Sequence, residues 1–208
     1  MPRFHLVVAP PHDLNGLIRI ARRVIYARPF GAVPATLAEF AADPRWPSGT
    51  PAFSLVLHTW KQDLGRHVHV HALVAGGALA PSGEWRSSKR GFLFPVKALS
   101  KVFRGKFVAA LKAARKAGPL AAATADAATW RALVARLFAD EWVVYAKEPL
   151  GGPAQVLEYL GRYTHRVAIS NERIVGVDDR EVRLRVRAIQ LAPPRRVRAP
   201  EFSPPPYA

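Results

Sequence analysis

The chain has 208 residues, half of them hydrophobic, which is enough for one substantial domain or two small ones. Lys and Arg number 31 against 15 Asp and Glu, a formal net charge of +16 that suits a polyanionic partner, nucleic acid first. The lack of cysteine excludes a disulfide framework and any Cys-based zinc site, and with neither a membrane-length apolar run nor a signal-peptide core the expected location is the cytoplasm.

Residues 3–9 read as a strand, stopped by Pro10-Pro11. Leu14, Leu17, Ile18, Ala21, Val24 and Ile25 fall at helical spacing over 13–27, with Asp13 as a candidate N-cap. Pro29 and Pro34 predict a break, then a short helix over 34–42 and a loop over 44–50. Strands at 53–60 and 68–74 follow. The short link between them, with Gly65, makes them an antiparallel hairpin, and Gly76-Gly77 is expected to end the second. Residues 80–91 read as a polar loop. A long helix over 96–117 carries Lys97, Lys101, Arg104, Lys106, Lys112, Arg115 and Lys116, among which Lys101 and Arg104 are candidate DNA contacts. A second helix spans 126–139 with Asp126 as its cap, and 141–147 reads as a strand. Pro153 opens a helix over 153–164. Stretches at 167–169, 173–177 and 181–188 alternate like a small meander. The expected organisation is one folded domain over 1–190 and a Pro/Arg-rich, disordered tail over 191–208.

The run Arg66-His67-Val68-His69-Val70-His71 carries the first chemical signal. On a strand, His67, His69 and His71 line one face while Val68 and Val70 point to the core. Neutral imidazole is the commonest protein metal ligand, so a divalent-metal cradle is expected on His69 and His71. In the hairpin, His58 falls near His71 on the same parity and is the first choice of third ligand, ahead of His67 and Gln155. The plainer alternative is a half-buried strand with a histidine polar face. Four of the seven histidines lie between positions 58 and 71, which weighs against that coincidence.

The second signal is Tyr159-Leu160-Gly161-Arg162-Tyr163-Thr164-His165-Arg166. Tyr159 and Tyr163 share one helical face, and each is followed three residues later by an arginine, Arg162 or Arg166. A free phenol, with a pKa of ~10, is a weak nucleophile at neutral pH. Nearby cations favour the phenolate and bind phosphate, and a metal polarises the scissile group. A histidine-held metal beside helix-borne tyrosines is what metal-assisted nicking of DNA requires. Tyr163, with Arg162 and Arg166 about it, is the expected first nucleophile, and Tyr159 the second. Two competing readings are a non-catalytic basic nucleic-acid-binding protein and a metal-dependent phosphoesterase in which water attacks.

His69-Val70-His71 resembles the His-hydrophobic-His motif of HUH endonucleases, and Tyr159 with Tyr163 resembles the nucleophile pair of their two-tyrosine branch. The blocks Leu57-His58-Thr59-Trp60, His67-Val68-His69-Val70-His71, Gly91-Phe92-Leu93-Phe94-Pro95-Val96-Lys97 and Tyr159-Leu160-Gly161-Arg162-Tyr163-Thr164-His165-Arg166 resemble transposases of rolling-circle insertion sequences of the IS-ninety-one type, over roughly residues 3–187. The resemblance implies an α+β fold, a central antiparallel sheet flanked by helices. It also implies a magnesium- or manganese-dependent enzyme that nicks single-stranded or hairpin DNA at transposon ends. The products are a 5′-phosphotyrosine and a free 3′-hydroxyl, and the setting is the bacterial cytoplasm at the nucleoid. The family's Cys-rich segment has no counterpart here and the chain stops soon after Pro193-Pro194, so the expectation is a truncated copy.

Overall fold

Alternation of apolar and polar residues builds the sheet that carries most of this chain. The computed structural model describes residues 2–60, 65–88, 93–147, 154, 161, 173–186 and 197–198. The chain divides into two compact units, Met1–Thr59 with His67–Thr164, and Trp60–Arg66 with His165–Ala208.

The first unit is α+β. Its strands are β1 (Arg3–Ala9), β2 (Thr50–Trp60), β3 (Arg66–Leu79), β4 (Trp85–Ser87) and β5 (Val143–Lys147), and its helices are α1 (Asn15–Ala42), α2 (Val96–Lys116) and α3 (Ala127–Ala139). The last residue of β2 and the first of β3 fall in the second unit. The sheet order is β2-β3-β1-β5, with β4 on β3. β1 is antiparallel to both neighbours, placing Val7 opposite His71 on one side and Tyr145 on the other. Leu6 and Val8 of β1 and Val144 of β5 meet Val33 and Leu37 of α1 and Leu99 and Phe103 of α2. The helices therefore cover one face of the sheet, and the odd-numbered residues of β1, β3 and β5 stand on the other.

The corner between α2, α3 and β5 is aromatic. Phe103, Phe107 and Trp142 pack edge to face with centroids 5.1–5.8 Å apart. Trp142 Nε1 donates to the Leu137 carbonyl at 2.8 Å, and Ser100 Oγ donates to the Trp142 carbonyl at 2.6 Å, so both of these buried donors are satisfied. Asp126 caps α3 by accepting from the backbone N–H groups of Ala128 and Thr129.

Several expectations need correction. The chain does not break at Pro29 and Pro34. Both lie inside α1, whose one non-helical residue is Ala21 (φ −129°, ψ 49°). Burial of Pro29, Ala32, Val33 and Leu37 holds the helix against its core neighbours and outweighs two missing backbone donors. Asp13 is not an N-cap. It lies in a 3₁₀ turn, His12–Leu14, and pairs with Arg136 at 3.0 Å. The 80–91 loop contains β4, which pairs Gly77 with Ser87 and Leu79 with Trp85.

Gly76-Gly77 does not end β3 either. A Cβ on Gly77 would run into the Arg86 carbonyl and lie 2.8 Å from the Trp85 ring, and one on Gly76 would lie 2.8 Å from the Pro2 carbonyl. These glycines admit neighbouring backbone to the strand, a role that reads locally like a turn signal. Gly77→Ala is expected to cost about 2–3 kcal/mol, a fall in Tm of roughly 5–10 °C by calorimetry. An unchanged Tm would mean that the β3–β4 edge is not packed this closely.

In the second unit, β6 (Ile174–Val177), β7 (Glu181–Leu184) and β8 (Val197–Arg198) form an antiparallel sheet in that order. Within the 191–208 stretch, Val197 and Arg198 pair with Val182 and Glu181, and the other residues of that stretch lie outside the described residues. Of the predicted 153–164 helix only Ala154 and Gly161 are described, both helical. Gln155, Tyr159, Arg162, Tyr163 and Arg166, and the predicted strand at 167–169, lie outside the described residues.

Candidate metal centre

β3 sorts its side chains by parity. Val68, Val70, Ala72 and Val74 are buried toward the helices, so His67, His69 and His71 stand on the opposite face. On β2, Phe53, Leu55 and Leu57 take the helix side, which sends His58 to the histidine face. His58, His69 and His71 each offer a ring nitrogen, and these atoms lie within 4.8 Å of one another. The ring centroids are 4.6 Å apart for His58 and His71, 5.3 Å for His58 and His69, and 4.8 Å for His69 and His71.

The ring chain extends in both directions. Buried His5 stacks on His71 at 5.1 Å, while His67 lies 5.0 Å from His69 and 5.1 Å from exposed His12. Six of the seven histidines thus belong to one contiguous array.

Burial holds the His69 imidazole well below the ordinary histidine range, at about 4. Its Nδ1–H donates to the His67 carbonyl at 3.1 Å, which pulls the value up, while the nearby His67 and His58 rings push it down. His69 is therefore neutral at pH 7, with Nδ1 as donor and Nε2 as the basic nitrogen. That is the form a metal ligand takes, with the carbonyl fixing the ring. Three imidazoles on one sheet face could hold a divalent cation.

His69 also sets a pH dependence for the metal-free chain. The unfolded histidine binds its proton near 6.5 and the folded one near 4. Between these values the unfolded state holds more protons, so stability rises with pH. The contribution is complete above 6.5 and is lost as pH falls toward 4, by about 2 kcal/mol after allowance for partial exposure. Tm measured from pH 7 to pH 4 is expected to fall less steeply in a His69→Gln variant. Equal slopes would show that His69 is not the group responsible.

The profile of a family described as "Putative transposase" matches residues 52–202. The chain is also 42% identical over 188 residues to a protein of Sinorhizobium fredii (strain NBRC 101917 / NGR234) named "Putative transposase y4qJ". That alignment covers 88% of this chain and 47% of the relative, so the chain spans about half the relative's length. No solved structure gives a significant match. The chain belongs to this transposase family.

In this transposase-family chain the two basic candidates on α2 are not beside the histidines, because α2 covers the opposite face of the sheet. Lys101 is exposed. Arg104 is committed to the α3 end: its Nη1 donates to the carbonyls of Phe138 (3.2 Å) and Asp140 (2.8 Å), and its guanidinium lies over the Phe138 ring. Sequence reasoning missed two residues on the histidine face. His5 reaches His71 only through the β1–β3 register, which no local pattern announces. Tyr145 shares a cross-strand row with Val7 and His71 and is 54% exposed. Its alternation on β5 was legible, but not which face of the sheet it joined. Among the described residues no helix is long and apolar enough to cross a membrane.

Proposed function

We propose that this chain is a metal-assisted DNA nicking and joining transposase that acts on single-stranded or hairpin DNA at transposon ends through a phosphotyrosine. The observation that carries this reading is the convergence of His58, His69 and His71 on one sheet face in a strongly basic member of a transposase family. Those three side chains would hold a magnesium or manganese ion. Such an ion supplies Lewis-acid polarisation of the scissile phosphate. Tyr163 and Tyr159 are the proposed nucleophiles. The phenol loses its proton and its oxygen bonds to phosphorus. The bond from phosphorus to the 3′-oxygen breaks, and that oxygen takes up a proton to become the 3′-hydroxyl. Arg162 and Arg166 neutralise charge on the phosphate and favour the phenolate. The second tyrosine allows a second cleavage or the joining step.

DNA binding in this scheme is mainly electrostatic. Log affinity is expected to fall with log salt by roughly 0.7 per phosphate contact on single strands. Binding that is flat from low to high salt would contradict it. The enzymatic step is tested with labelled single-stranded DNA, protein and manganese on a denaturing gel. A label retained on protein supports tyrosine attack. Cleaved DNA without an adduct assigns the attack to water, and bound but uncleaved DNA makes the chain a binding protein.

A further inference from the structure

His5 is buried, with 3% of its surface exposed, and no local motif marks it. In the β1–β3 register it faces Leu73, two pairs along from the Val7–His71 pair, so its ring lies diagonal to His71 on the same face. Its Nε2 is 2.9 Å from His71 Nδ1, and the two rings are nearly parallel at 23°. Two neutral imidazoles can make that bond only when one nitrogen donates and the other accepts. His71 is itself buried at 6% exposure, so a hydrogen bond lost there is not replaced by bulk water. We infer that His5 is a positioning residue for His71: it accepts from Nδ1–H and holds the ring so that Nε2 is the nitrogen presented to a divalent cation. The inference rests on the proposed metal role of His58, His69 and His71.

The geometry matches what His69 does by another route. His69 Nδ1 donates to a backbone carbonyl within its own strand, whereas His71 Nδ1 is answered by a side chain from the neighbouring strand. Both arrangements fix the tautomer that leaves Nε2 basic. Metal-bound histidines commonly hand their second ring nitrogen to a carbonyl or carboxylate, and here an imidazole would take that part. Removing such a partner typically lowers metal affinity by ~10–100-fold while the ligands remain.

The test combines manganese calorimetry with long-range ¹H–¹⁵N spectra of the imidazoles in the full chain, His71 being assigned by comparison with His71→Ala. The wild-type spectrum is expected to show His71 protonated on Nδ1. His5→Phe, which keeps a ring but not the acceptor, is expected to bind manganese ~10–100-fold more weakly. His5→Gln, whose amide oxygen can accept the same bond, is expected to regain most of that loss. A His71 protonated on Nε2, or a folded His5→Phe variant with wild-type affinity, would overturn the inference. If His5→Phe does not fold, the wild-type tautomer decides alone. The His69→Ala, His71→Ala double variant separates the two claims. If it binds manganese like wild type, the triad itself is wrong. If it loses binding while His5→Phe does not, only the role of His5 fails.

Discussion

Replacing His69 and His71 together by alanine is expected to remove measurable manganese binding and to lower adduct formation by at least a hundredfold. The first effect follows from geometry. The double variant leaves His58 alone of the three nitrogens that converge within 4.8 Å, and one imidazole does not hold a divalent ion against water. The loss should therefore exceed the ~10–100-fold that follows from disturbing an outer partner. The second effect follows from chemistry. Polarising a phosphoryl oxygen is worth several kcal/mol at the transition state, and each ~1.4 kcal/mol is tenfold in rate. His71→Ala also removes the hydrogen bond to His5 Nε2, at a cost of about 1–3 kcal/mol in stability, so calorimetric titration should be paired with a thermal scan. Folded protein with unchanged manganese affinity would refute the ligand assignment.

The second large effect is expected at the tyrosines. Phenylalanine keeps the ring and removes the nucleophile, so Tyr159→Phe with Tyr163→Phe should leave DNA binding near wild type and abolish the covalent adduct. Between the single variants, Tyr163→Phe should slow the first adduct more. Arg162 precedes Tyr163 and Arg166 follows it by three, whereas Tyr159 has Glu158 beside it. On a helix the two side chains are neighbours, with Cβ atoms ~5–6 Å apart, so either reaches a given phosphate after a small shift. If Tyr159→Phe alone blocks the first adduct, the order is reversed. If both singles keep the full rate, either tyrosine suffices and the ordering fails.

What the sequence made legible divides along the range of the interactions. The 3–9 strand, the α2 and α3 helices and the Asp126 cap were readable because each is encoded within a few residues, by parity, by helical period or by one side chain reaching back to nearby N–H groups. The placement of His69 and His71 on one face was readable for the same reason. The failures came where a distant partner decides. Pro29 and Pro34 are helix breakers in isolation, yet they sit in a helix whose apolar side is buried. Gly76-Gly77 carries a turn signal, yet it lies mid-strand because Pro2 and β4 press against it. His5 is an ordinary residue of a first strand until the register sets it diagonal to a residue 66 positions later. Tyr145 likewise gains its meaning from the β1–β5 pairing.

The most direct measurement is to form the adduct on wild-type protein with manganese, digest with trypsin and find the peptide that carries the nucleotide. The sequence separates the candidates. Cleavage after Lys147, Arg162 and Arg166 puts Tyr159 on the 148–162 peptide, Tyr163 on the 163–166 peptide and Tyr145 on the 137–147 peptide. The nucleotide is expected on 163–166 first, then on 148–162, with neither formed in the presence of a chelator. A nucleotide on 137–147, or an adduct that forms equally well without metal, would contradict it.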